Sequence, residues 1–429
     1  MPISQSTVRE AQKVIGQLLA PGLTDPYPLY AWLRENAPVV YSERHDAYLL
    51  SRFADCALAF RSPLLFHSAE HDTLMELMPH TVEYRPYRAM FSSLVGGTPV
   101  PYAPLRRLLG ERLTPDAVRR MRDVMRRTSE TVMDQVAAAD DGSPVDLHSA
   151  LSVPIAELSI STLIGVQPAD QPEATKLLRR LLRLMEAAPT QSGLAAVTVA
   201  FRAVADYITE LMAETRRSPG GNLATMMTLG RDGVSRMSQD QIQTTLITLW
   251  AAGVEKSIIT LDSAALAVLR RPDLIEWLRD EEIASAFVDE LYRWDCPAQI
   301  STSPRYAASD VELAGGYVVP AGAEVRMLLG AANRDPEAYP EPDQLLPSRL
   351  GPDPLLSGAG FLPCIGTGLA RLQLCLTMPH LLERFPELTL AGEPRWRRTL
   401  PLREPRSIPV RLGVDASRCP AVPVGAGRP

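Results

Sequence analysis

The 429-residue chain carries 44 basic and 50 acidic side chains, a formal net charge of −6, and 46% hydrophobic residues. The acidic balance argues against general nucleic-acid binding, while the apolar content supports a substantial core. Five scattered cysteines (Cys56, Cys296, Cys364, Cys375 and Cys419) with no C-x-x-C pair indicate neither a disulfide framework nor a zinc site. The first 22 residues hold no apolar run suited to a signal peptide or a membrane anchor, so a cytoplasmic protein without membrane contact is expected. The three lysines, Lys13, Lys176 and Lys256, each follow a residue other than glycine, which excludes a Walker A loop. Gly358-x-Gly360 lacks the third glycine and the preceding strand of a dinucleotide fingerprint.

Residues 1–23 read as a flexible extension. Pro26–Glu35 then reads as a short helix, followed by strands at Val39–Tyr41 and Ala47–Leu50 and a helix from Phe53. The stretch His67–Pro101 mixes helical signals with Gly96, Gly97 and several prolines, a long loop of the kind that often carries function. From Pro104 the chain turns helical and basic, with Arg106, Arg107, Arg112, Arg119, Arg120, Arg122, Arg126 and Arg127. A solvated face and a docking surface are both open there. Residues 144–217 form several amphipathic helices with breaks near Pro168, Pro189 and Pro219.

Ser238 is a good N-cap, and no proline follows until Pro272. About 33 helical residues would span roughly 50 Å, and apolar residues on most faces mark that helix as buried. In its middle stands Ala251-Ala252-Gly253-Val254-Glu255-Lys256-Ser257. Lys256 shares a face with Leu249, Ala252, Gly253 and Thr260. Desolvation lowers a lysine pKa, so Lys256 could supply a proton, bind a substrate carboxylate or ligate a metal as a neutral amine. It could equally snorkel outward or pair with a nearby acid.

Glu290 and Arg293 form an E-x-x-R pair one turn apart, a spacing whose default reading is a surface ion pair. Beyond Arg305 and the stretch GAANRDPEAYPEPDQLLPSR lies Leu356–Arg371, LSGAGFLPCIGTGLAR. Gly358 and Gly360 let that loop pass close to a flat ligand. Cys364 sits where a helix begins and runs through Ala370, Arg371, Leu374 and Leu382 until Pro386, a position that favours a thiolate. A buried, inert cysteine at a helix start is the alternative.

Taken in order, these stretches resemble the cytochrome P450 family from about Asp25 to Leu412. The resemblance implies one P450-like domain over residues 1–429, mainly α with small β-sheets and a long central helix, ending in a flexible tail at 413–429. It implies haem b (iron protoporphyrin IX) held by Cys364 as axial ligand, with Gly358, Leu362, Gly366, Ala252 and Gly253 around it. Tyr102, Arg106 and Arg305 would bind the propionates, as arginine suits paired carboxylate oxygens. Glu290, Arg293 and Arg349 would form a buried charge cluster. LREPRSIPVRL fits the last strand pair, whose turn reaches the substrate pocket. Further pocket residues are expected near Leu178–Phe201, Leu246–Thr260 and Ala298–Thr302.

Several family positions have changed here. The aromatic of the cysteine loop is Ser357, its histidine is Leu362, and the histidine of the H-x-x-x-R pattern is Tyr102. Glu255 stands at the acid of the A-G-x-(acid)-T pattern, but the threonine is Lys256, which puts plain hydroxylation in question. The implied activity is oxidation of a small-molecule, natural-product intermediate, with electrons from a ferredoxin and its reductase on the arginine-rich face. The alternative is a haem-free homologue that activates a partner enzyme such as a glycosyltransferase.

Overall fold

In a computed structural model of the chain, the described residues are 4–18, 20, 23–62, 65–66, 121–186, 191–218, 222–229, 238–301, 305–356, 366–397 and 402–413. The expected loop His67–Pro101 and the arginines from Arg106 to Arg120 lie outside them, as does nearly all of the tail.

The fold is built on the helix Gln239–Arg270, 32 residues long. Ser238 opens it with a reciprocal cap. Its Oγ accepts the Gln241 N–H at 3.2 Å, while Gln241 Oε1 accepts the Ser238 N–H at 2.8 Å. Leu246, Trp250, Val254, Leu261 and Leu266 place this central helix in the main core. There it packs against the helices Val153–Ile164, Gln191–Arg217 and Thr367–Arg384. Two contacts fix its seat on Val153–Ile164. Trp250 Nε1 donates to Ser161 Oγ at 3.0 Å, and a Cβ added to Gly253 would lie 3.0 Å from Ile160 Cγ2. Glycine at 253 therefore serves the close approach of two helices.

Beside this helical layer lies a five-stranded sheet in the order β1-β2-β8-β5-β3. It comprises β1 (Val39–Ser42), β2 (Ala47–Leu50), β3 (Leu65–Phe66), β5 (Arg305–Ala307) and β8 (Glu324–Met327). β1 and β2 pair antiparallel with Val39 opposite Leu50, and β2 meets β8 in parallel with Ala47 opposite Glu324. The sheet has its own core of Val39, Leu50, Cys56, Val325 and Met327. Three smaller sheets complete the β-structure among the described residues: β4 (Val145–Asp146) with β12 (Pro409–Arg411) and β9 (Thr389–Leu390), β10 (Arg395–Trp396) with β11 (Pro405–Ser407), and β6 (Val311–Glu312) with β7 (Val318–Val319).

Two expectations are corrected. Residues 5–18, read as part of a flexible extension, form a helix that buries Ala11, Val14, Ile15 and Leu18 against Tyr30, Leu33 and Val40. That i, i+3, i+4, i+7 spacing is itself an amphipathic signature. LREPRSIPVRL is no strand pair. Its strands β11 (Pro405–Ser407) and β12 (Pro409–Arg411) are separated by Ile408 alone, too little chain to turn. β11 pairs instead with β10 (Arg395–Trp396), while β12 pairs with β4 (Val145–Asp146) and β9 (Thr389–Leu390).

The other expected elements lie close to their predicted bounds: helices at Tyr27–Asn36 and Phe53–Arg61, and one ending at Arg384 just before Pro386. That last helix runs through Pro379. A π-helical turn, His148–Ser152, precedes Val153–Ile164. No helix among the described residues is long and apolar enough to cross a membrane.

Candidate haem and substrate site

The middle of the central helix differs from its second half. Ala251, Ala252, Gly253, Glu255 and Lys256 are half-buried, whereas Val254 and every residue from Ser257 to Val268 are buried. The side chains of Lys256 and Glu255 are 38% and 24% exposed, and Lys256 Nζ lies 3.9 Å from Glu255 Oε2. That contact is loose, at the limit of an ion pair.

One and two turns beyond Lys256, Thr260 Oγ1 lies 3.4 Å from Tyr292 Oη, and Ser263 Oγ donates to Asp295 Oδ2 at 3.3 Å. The Lys256 face therefore looks toward the end of the helix Glu281–Trp294 and the segment after it. In that segment, burial pushes the Cys296 thiol pKa up to about 12, against the Asn333 and Ala298 hydrogen bonds.

Glu290, Arg293 and Arg349 meet in a second cluster, the first two buried and Arg349 half-buried. Arg293 donates to Glu290 Oε2 at 2.7 Å from Nε and to Oε1 at 2.8 Å from Nη2. Arg349 Nε adds a bond to Glu290 Oε1 at 3.0 Å. The remaining Arg293 donors reach the carbonyls of Asn333, Pro342 and Gln344. The E-x-x-R pair is thus an interior anchor for residues 333–349, contrary to the surface reading that its spacing alone suggests. Next to it, Arg371 Nη2 grips both oxygens of Asp289 at 2.5 and 2.6 Å, tying the helix Thr367–Arg384 to Glu281–Trp294.

Arg305, in β5, is a different kind of buried arginine. It is 7% exposed, and among the described residues its Nε–H has no hydrogen-bond partner and no carboxylate pairs with it. Phe60 covers its guanidinium at 5.6 Å. Burial alone depresses its pKa to about 10. A guanidinium in that condition is suited to an anion from outside the chain, and a haem propionate meets the need.

Gly366 caps the helix Thr367–Arg384 at φ −87°, a conformation open to any residue. Cys364, Leu362, Gly358, Tyr102 and Arg106 lie outside the described residues. Ala252 and Gly253 share the half-buried stretch with Glu255 and Lys256, although the Gly253 Cα faces Ile160. Of the residues expected to hold haem, the described one, Arg305, is a buried guanidinium whose condition fits a haem carboxylate.

A long central helix, a Glu290–Arg293–Arg349 charge anchor and a buried arginine without a carboxylate partner among the described residues are the frame that the comparisons identify. The family model described as Cytochrome P450 matches residues 102–399. Cytochrome P450 BJ-3 of Bradyrhizobium diazoefficiens is 30% identical over 428 residues, covering 96% of this chain and 99% of that protein. The 6-deoxyerythronolide B hydroxylase of Saccharopolyspora erythraea is 30% identical over 403 residues, covering 90% and 96%. A crystal structure of P450BioI in complex with a hexadec-9Z-enoic acid-ligated acyl carrier protein superposes with TM-score 0.80 over 92% of this chain and 100% of that one. At 23% identity this last likeness is one of fold. The chain belongs to the cytochrome P450 family of oxidoreductases, whose cofactor is haem b.

Three contacts at this site carry no sequence signal: Asp289–Arg371, His148–Asp262 and Asp295–Arg403 join residues 82, 114 and 108 positions apart.

Proposed function

We propose that this chain, as a single P450-like domain, oxidises a mid-sized, partly apolar natural-product intermediate by a route other than plain hydroxylation. The observation that supports this most directly is Lys256. It stands where the family carries its threonine, on the half-buried stretch of a helix whose next three turns are sealed. Similarity to a hydroxylase named for 6-deoxyerythronolide B supports a small-molecule substrate.

Cys364 is the axial ligand in this reading, with Arg305, Arg106 and Tyr102 on the propionates, and Gly358, Leu362, Gly366, Ala252 and Gly253 beside the ring. When bound, haem supplies redox-active iron. Lys256 Nζ stands at the site, 3.9 Å from Glu255 Oε2. The pair can bind a substrate carboxylate or deliver a proton, functions for which a threonine hydroxyl is a poor substitute. The electrons come from a ferredoxin and its reductase, docked on the arginine-rich surface around Arg122, Arg126 and Arg127.

Absorption spectra of the purified protein, ferric and then ferrous with carbon monoxide, test the reading. A Soret band with the strongly red-shifted carbonyl form, lost in Cys364→Ser, is expected. The spectrum of Lys256→Ala separates two roles for the amine: a nitrogen-ligated ferric form lost in the variant makes Lys256 an iron ligand, and an unchanged spectrum makes it a substrate contact. A protein that takes up no haem on reconstitution is instead an auxiliary to a partner enzyme, a role toward which the changes at Ser357, Leu362, Tyr102 and Lys256 point.

A further inference from the structure

We infer that Arg403 is a positioning residue for the substrate pocket: through Asp295 it fixes segment 297–300 against the central-helix face that carries Lys256. The inference rests on the proposed reading in one respect, that this segment walls the pocket.

Asp295 ends the helix Glu281–Trp294 and is 6% exposed. Its carboxylate gathers donors from three distant parts of the chain. Tyr27 Oη donates to Oδ1 at 3.1 Å from the N-terminal region, and Arg403 Nε donates to the same oxygen at 2.5 Å from the C-terminal arm. Ser263 Oγ, from the central helix, donates to Oδ2 at 3.3 Å. Ser263 lies seven residues after Lys256, hence within about 20° of it around the helix. One buried carboxylate therefore sets the spacing between the distal face and whatever Asp295 carries.

What it carries is the wall. The Arg403 backbone N–H donates to Pro297 O at 2.9 Å, and Leu402 bridges Ala298 in antiparallel register. The Arg403 side chain is held on every side: Nη1 donates to Thr24 O at 3.0 Å, and the guanidinium lies 3.9 Å from the Trp396 ring. Burial works against the Arg403 charge, but Asp295, Tyr27 and Asp25 together outweigh it and raise the Arg403 pKa. Further along the wall, Gln299 O accepts from Gly330 N–H at 3.1 Å and Ser301 N–H donates to Met327 O at 2.8 Å, so 297–300 runs from the Arg403 clasp to the five-stranded sheet. A planar fork that donates from its edge and stacks on its face can make these contacts together, and lysine can make only part of them.

The test compares the full-length protein with Arg403→Gln, Arg403→Lys and Asp295→Asn. Amide hydrogen exchange is read at residues 297–301 and at the 289–294 anchor. Dissociation constants for imidazole and for 4-phenylimidazole are read from the Soret shift. In Arg403→Gln, exchange at 297–301 should quicken about tenfold or more while 289–294 stays unchanged. The extended ligand should weaken about tenfold and imidazole by less than about twofold, with Arg403→Lys recovering part of the difference. Should Arg403→Gln not fold, Asp295→Asn, which keeps the carboxylate's shape, must show the same split. Unchanged exchange at 297–301, or equal weakening of both ligands, overturns the inference. Absence of a Soret band in the wild type sinks the haem reading instead, and exchange then decides on its own whether Arg403 holds the segment.

Discussion

Arg293 and Arg305 are both arginines less than a tenth exposed, yet their surroundings are opposites. Arg293 spends its donors on one carboxylate and three carbonyls, all supplied by this chain. Arg305 has a buried Nε–H with no partner among the described residues and a pKa drawn down to about 10 by burial. Burying a charge is tolerable only when its partners come with it. The contrast separates a charge that serves the fold from one that, among the described residues, has no carboxylate partner.

Removing each charge should break the comparison in opposite directions. Glu290→Ala strands two buried guanidinium groups, and a loss of about 3–5 kcal/mol in unfolding free energy is expected by urea denaturation, enough to threaten folding at all. Arg305→Met should leave the apo-protein's urea midpoint unchanged or higher, because an unpaired charge is replaced by an apolar chain. Haem retention, measured by transfer to apomyoglobin, should fall about tenfold or more in that variant. A large apo-state loss in Arg305→Met would show that Arg305 is another structural charge.

A third buried ionic contact sharpens the distinction through pH. His148 Nδ1 lies 2.7 Å from Asp262 Oδ2, linking the π-helical turn to the central helix. Burial opposes the His148 proton, but the Asp262 hydrogen bond and charge outweigh it, with Glu404 and Asp146 adding to the effect, so its pKa is raised above 6.5. Burial also raises the Asp262 pKa above 3.8. Both shifts mean that folding takes up protons. The His148 contribution is complete below pH 6.5 and is lost as pH rises through its raised value. Urea midpoints should therefore fall above neutrality in the wild type, with about 1–3 kcal/mol at stake, and the slope should flatten in Asp262→Asn. The smallest effect belongs to a neutral contact. Gly253→Ala brings a Cβ to 3.0 Å from Ile160 Cγ2, and a cost of about 1 kcal/mol is expected, relieved in the double variant with Ile160→Val.

Local chemistry made much of the fold legible in sequence. The Ser238 cap and the proline-free run to Pro272 bound the central helix because capping and the missing proline N–H act within a few residues. Alternation and turn residues did the same for Val39–Ser42 and Ala47–Leu50. The helix at 5–18 was equally readable from its apolar spacing. Strand partnership at the C-terminus was not, because Pro405–Ser407 and Pro409–Arg411 look like neighbours in sequence while each finds a partner elsewhere.

The sequence by itself determined where the central helix begins and ends and which lysine interrupts an otherwise ordinary distal motif. Only the tertiary structure decided which charges are enclosed and by what. An E-x-x-R spacing is the same on a surface and in a core, and burial depends on residues 333–349 folding over it. The joining of Tyr27, Ser263 and Arg403 on Asp295 likewise depends on parts of the chain up to 268 residues apart, with no periodicity to announce it. Electrostatics and hydrogen bonding act through space, and the sequence records only neighbours along the chain.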